Sequence, residues 1–180
     1  LNRFNLQDSD FDPKVIAKTL SRICRFWGQT REFYSVAEHC LAMVEVFEDI
    51  ELKKWALMHE VFEGLTGMDI PTPIKHTEAM EYYREAEERA LIQAARIFGL
   101  NPQIPDEIKI ADKRMMVTEA LQLMNTENYD WTQIAKPFKE ERILRQIRKR
   151  QCPNGQNIYL NMKIAEDAFL LSWRDLFGKI

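Results

Sequence analysis

Within the segment 56–75, ALMHEVFEGLTGMDIPTPIK, the chain sets His59, Glu60 and Glu63 close together. On a helix Glu63 falls one turn beyond His59 and points the same way. Glu60 is rotated from His59 by roughly 100° and flanks the same place. Imidazole and carboxylate both ligate divalent metals, and a carboxyl group is also a general acid or base. Two carboxylates at this spacing, beside the apolar stripe of Trp55, Met58 and Phe62, repel each other unless a cation or a proton intervenes. A bound metal is the economical reading. A partly solvated glutamate pair at the edge of the core is the plain one. The pattern is HExxE, not the HExxH of zinc proteases, and the next histidine is His76. A glycine-containing turn then leads to Asp69 and a proline-rich corner.

Two further residues could join this set. His39 stands between Val36 and Met43 on a stripe that should face the core; alone, it reads first as a hydrogen-bonded core histidine. Asp112 sits among Ile108, Met115 and Met116, where a carboxylate needs a partner. Lys109, three residues earlier, shares its face. The pair is either a surface Asp–Lys bridge or a metal ligand with a phosphate-binding lysine beside it. A mixed His/carboxylate set suits Mn, Co, Zn, Fe or Mg without selecting among them.

The elements that must position these residues read as helices throughout. Asp12-Pro13 supplies an N-cap and first turn for a helix to about residue 24. Ser35 caps a second, with Val36, Cys40, Met43, Val44 and Phe47 on its stripe. A third is expected over about 50–65, carrying His59, Glu60 and Glu63 without interruption. A fourth is expected from about Pro73 to Gly99, a C-cap glycine, and a fifth from Pro105 to about Met124. Residues 129–137 read as a loop or a short turn, 139–150 as a helix, Cys152-Pro-Asn-Gly155 as a break, and 160–177 as a last helix. No strand alternation, repeat or linker is visible. The expectation is one all-α domain over residues 1–180.

Composition agrees. The 180 residues are 46% hydrophobic, enough for one sizeable core. A net charge of −3 argues against a DNA or RNA surface. The basic run Arg145, Arg148, Lys149 and Arg150 complements a helix C-terminus or an oligomer contact. The three cysteines are widely spaced and form no CxxC pair, so neither a disulfide scaffold nor a zinc ribbon is expected. No signal peptide or bilayer-spanning run is read, so a cytoplasmic protein with no membrane partner is expected.

Joined together, these motifs resemble the HD-domain phosphohydrolases. That all-helical family holds a metal with a His from one helix, a His-Asp doublet from another and a distant Asp from a later one. The matching positions here are His39, His59, Glu60 and Asp112. Residues 24–39, CRFWGQTREFYSVAEH, resemble the approach to the first ligand in the deoxynucleotidase-like branch. Residues 69–75, DIPTPIK, resemble its turn after the doublet, Ile110-Ala-Asp112 its later ligand motif, and 165–170, AEDAFL, its closing helix. The similarity covers most of the chain. Glu60 stands where the family has Asp, and Gln29 where the branch often has His.

The resemblance implies an HD-type helical bundle that dephosphorylates 2′-deoxynucleotides with a divalent metal. The cleavage of dATP to deoxyadenosine and triphosphate, as in phage members that deplete the dATP pool, is the leading expectation. The compartment would then be the host cytoplasm. A 5′-deoxynucleotidase acting on dNMPs is the alternative, and a degenerate domain that binds nucleotide without turnover is another. In this scheme Glu63 orients or deprotonates a water, or protonates the leaving 5′-oxygen. Asp69 binds substrate or a second metal at the phosphate tail. Arg25, Lys75 and Lys109 neutralise phosphate charge, and Trp27 walls the sugar or stacks on the base. A homo-oligomer is implied by resemblance alone.

Overall fold

The computed structural model describes residues 4–149 and 158–178. They form an all-α fold, and no strand occurs among them; a single isolated bridge joins Cys24 and Ser35. The helices are α1 (Pro13–Leu20), α2 (Val36–Val44), α3 (Ile50–Met58), α4 (Val61–Thr66), α5 (Thr72–Lys75), α6 (Glu81–Phe98), α7 (Asp106–Leu123), α8 (Glu141–Lys149) and α9 (Ile158–Phe177).

Local chemistry starts several of them where the sequence predicts. Asp12 Oδ1 accepts the Lys14 amide at 2.8 Å, with Pro13 in the first turn. Ser35 and Glu38 make a reciprocal capping box at α2, each side chain taking the other's amide. Asp49 Oδ1 accepts the Leu52 amide and opens α3. Buried residues run without a break from Val36 to Met43, so α2 is enclosed on all sides. It packs against α1, α3, α7, α8 and α9. His39 is therefore delivered to the centre of the molecule.

The expected third helix is broken. α3 ends at Met58, α4 begins at Val61, and His59-Glu60 form the junction. The His59 Nδ1–H donates to Ala56 O at 2.8 Å, taking the carbonyl that the Glu60 amide would claim in a continuous helix. His59 and Glu63 thus belong to different elements, although both stay beside the same site. The expected fourth helix is likewise divided into α5, a 3-10 turn at Glu78–Met80, and α6, which ends at Gly99. The Cys152–Gly155 break, and Arg150 of the basic run, lie outside the described residues. Arg145 and Arg148 both pair with Glu141.

α4 lies close against α1. A Cβ placed on Gly64 would come within 2.8 Å of Ile16 Cγ2 and 3.3 Å of the Ile16 backbone. Gly64→Ala is expected to lower unfolding stability by about 1–3 kcal/mol, the usual range for overpacking. Chemical denaturation reads this directly, and an unchanged midpoint would mean that α1 gives way freely.

Candidate metal centre

Four side chains converge from three regions of the chain. His39 comes from α2, His59 and Glu60 from the α3–α4 junction, and Asp112 from α7. One ligand atom from each lies within 4.8 Å of all the others, so the group could hold a metal ion. His39 Nε2 is 3.1 Å from His59 Nε2 and 3.2 Å from Asp112 Oδ1. His59 Nε2 is 3.6 Å from Glu60 Oε1. An ion about 2.0–2.2 Å from each donor needs donors no more than ~4.4 Å apart, so closing the set takes a shift of a few tenths of an ångström.

The hydrogen bonds behind the cluster aim it. The His39 Nδ1–H donates to Glu119 Oε1 at 2.8 Å, and the His59 Nδ1–H donates to the Ala56 carbonyl. Both rings therefore turn Nε2 lone pairs toward each other, an arrangement that needs a cation between them. Without a metal, a proton fills that role. Burial and the Arg25 charge both oppose a charged His39, yet Glu119 and Asp112 push its pKa up to about 9. Burial and the neighbouring His39 hold His59 below its ordinary value. Partial desolvation works against Asp112, but the hydrogen bond and charge of His39 pull it well below the carboxylate range.

A cavity of about 570 Å³ opens beside the cluster, and Glu60, Asp112, Arg25, Glu63, Asp69 and Lys75 all line it. Glu63 is 2% exposed, and its Oε2 has no hydrogen-bond partner among the described residues. Burial, then the charges of Glu60 and Asp69, push its pKa well above the usual glutamate value. Glu63 is therefore a buried acid that holds its proton more tightly than an ordinary glutamate, with one oxygen unpartnered among the described residues. Burial likewise raises Asp69. Lys75 Nζ lies 2.8 Å from Glu87 and 3.9 Å from Glu63. Burial opposes its charge, but Glu60, Glu87 and Glu63 outweigh that and keep it protonated. Arg25 is buried, 3.3 Å from Glu119 and 4.0 Å from Glu60, and its Nε is also unpaired among the described residues.

Two of the sequence candidates stand elsewhere. Trp27 is 57% exposed and outside the cavity lining; its indole N–H donates to Asp69 O at 3.4 Å. The cause is the turn Arg25–Gly28, where Phe26, Trp27 and Gly28 have φ of 51°, 53° and 74°. The left-handed region costs a non-glycine residue about 1–2 kcal/mol, and here it brings Phe26 rather than Trp27 to the cavity wall. Lys109 pairs with Asp106 at 3.0 Å, not with Asp112, and faces a separate groove with Arg84 and Glu87.

Glu119 is the residue the sequence reading lacks. It is fully buried and accepts from Tyr34 Oη at 3.0 Å and from Arg25 Nη2, as well as from His39. It lies two helical turns beyond Asp112 on the same face of α7, a spacing visible in the sequence.

The fold and the site together define an all-α protein with a candidate metal centre beside a charged cavity. No family model matches the chain. The chain is 36% identical over 104 residues to the "Uncharacterized protein YfdR" of Escherichia coli (strain K12), an alignment covering 58% of this chain and 56% of that protein. It thus spans little more than half the length of that curated relative. No described helix is long and apolar enough to cross a membrane.

Proposed function

We propose that this chain is an HD-type, metal-dependent phosphohydrolase of 2′-deoxynucleotides, with dATP cleavage to deoxyadenosine and triphosphate as the leading reaction. One observation carries the reading: the two carboxylates of a His/carboxylate cluster line the same cavity as two cations and a buried glutamate with one oxygen unpartnered among the described residues. The motif resemblance supplies the substrate class. Cleavage of dNMPs is the alternative within it.

His39, His59, Glu60 and Asp112 would hold the ion, which when bound supplies Lewis-acid polarisation of the phosphate and a more acidic water. Arg25 and Lys75 bind the phosphate oxygens, Arg25 with a fork suited to two of them. Water adds to the α-phosphorus as the bond from phosphorus to the 5′-oxygen breaks. Glu63 gives its proton to that leaving oxygen and regains one from the attacking water. Asp69, which lines the same cavity, orients the water or the phosphate tail.

The test is a panel of dNTPs, dNMPs, ATP and cyclic nucleotides, each incubated with the protein and Mn, Co, Zn, Fe or Mg, with products separated by chromatography. Release of deoxynucleoside is expected; no release from any deoxynucleotide sinks the proposal. Glu60 motivates a second reading, nucleotide binding without turnover. Its Oε1 is 4.0 Å from Arg25, so its longer side chain can be drawn toward that cation. An inactive native chain that gains turnover as Glu60→Asp would favour that reading.

A further inference from the structure

One wall of the cavity is left over by this chemistry. Phe26, Met116, Tyr129, Trp131 and Ile134 line it, and none carries a charge. Its aromatic members form a connected track that starts at the phosphate-binding end. The Arg25 guanidinium lies 5.4 Å from the Phe26 ring centre. The Phe26 ring is 6.1 Å from Trp131 and nearly perpendicular to it, at 89°. Trp131 is in turn 5.4 Å from Tyr129, at 80°. Edge-to-face rings do not exhaust their π faces on one another, so a flat face stays available to a third ring.

Two features suggest that this wall is built for a ligand. Phe26 reaches it only through a strained left-handed backbone, in a turn where Arg25 is anchored to buried Glu119. Tyr129 leads directly into a short 3-10 turn, Trp131–Gln133, capped by Asp130, whose side chain accepts from the Thr132 amide and hydroxyl. Tyr129 is 53% exposed, a large area of aromatic surface left at the cavity rim. A phosphate held at Arg25 and Lys75 would carry its organic part along this track.

We propose that the Tyr129–Trp131 segment, with Phe26, is a stacking subsite for the nucleobase of a nucleotide whose phosphate lies at Arg25 and Lys75. This rests on the phosphohydrolase reading above. Stacking reads a π face, which every base has, so the subsite supplies affinity for a base more than discrimination among bases.

The probe is a pair of ligands, deoxyadenosine 5′-monophosphate and base-free 2-deoxyribose 5-phosphate, titrated calorimetrically into the full metal-loaded chain. The native protein should prefer the nucleotide. That preference should shrink about tenfold or more in Trp131→Ala, within the span of one base–aromatic stack, and return in Trp131→Phe. Tyr129→Ala should shrink it less. Circular dichroism checks that each variant is folded, as expected for partly exposed loop residues. The subsite is overturned if the native protein binds both ligands equally well, or if Trp131→Ala keeps the full preference. If the native protein binds neither ligand, the subsite is likewise overturned, whereas the phosphohydrolase reading stands or falls separately with the turnover panel.

Discussion

Glu63→Gln should cost turnover about 10²- to 10⁴-fold, the usual contribution of a positioned general acid, while leaving the metal-free protein at least as stable as the native chain at pH 8. The first half follows from position. Among the described residues that line the cavity, Glu63 is the one that is buried, raised in pKa and left with an unpaired oxygen. An amide of the same shape fills the space but gives up no proton. Substrate affinity should change little, so the loss should appear in kcat.

The second half follows from linkage. Burial, Glu60 and Asp69 raise the folded-state pKa of Glu63 above its unfolded value. The folded state therefore binds this proton more tightly. Its contribution is fully present below the ordinary glutamate pKa and is lost as pH rises through the elevated folded value. Glutamine cannot lose that proton. The difference in thermal midpoint, variant minus native, should thus grow in favour of the variant as pH rises from acid to mildly alkaline. Scanning calorimetry of metal-free samples across that range measures it. A difference independent of pH, together with retained turnover, would remove Glu63 from the chemistry and from the list of strained groups.

The parts of this arrangement that were legible in the sequence are those set by local rules. Asp12-Pro13, Ser35 with Glu38, and Gly99 mark helix ends through bonds to their own neighbours, and those ends fall where expected. The junction at His59-Glu60 was not legible, because it arises when the His59 side chain takes its own helix's carbonyl. Helical periodicity carries no trace of that competition. Lys109 shows the other limit. Spacing places both Asp106 and Asp112 three residues away, and only the packed structure shows that Lys109 pairs with Asp106. Trp27 stands outside the cavity and Phe26 lines it, in a turn whose left-handed backbone neither residue favours and helical periodicity does not announce. The meeting of His39, His59, Glu60 and Asp112 was expected from resemblance; no local spacing brings α2, the α3–α4 junction and α7 together.

Glu119→Gln is expected to weaken divalent-metal binding about 10- to 100-fold, as loss of a carboxylate behind a ligating histidine does elsewhere. Glu119 is ionised in the native protein: burial opposes its charge, but His39 and Arg25 outweigh burial, helped by bonds from His39 and Tyr34. That charge does three things at once. It fixes the Nδ1–H tautomer of His39, it raises the basicity of Nε2, and it ties Arg25, the proposed phosphate-binding residue, to the same anchor. Glutamine keeps the volume and one accepting oxygen. Its amide nitrogen must face a donor, either Arg25 Nη2 or the pair Tyr34 and His39, and leaves that donor unsatisfied at a cost of about 1–3 kcal/mol. A loss of stability alone would make Glu119 a packing residue that happens to touch His39. The two roles separate in a competition titration against a chromogenic chelator, run well below the variant's unfolding midpoint. Weakened metal binding by a folded variant marks the carboxylate as the group that aims His39. Unchanged binding would show that α2 alone holds the ring, and that Glu119 serves Arg25 and Tyr34.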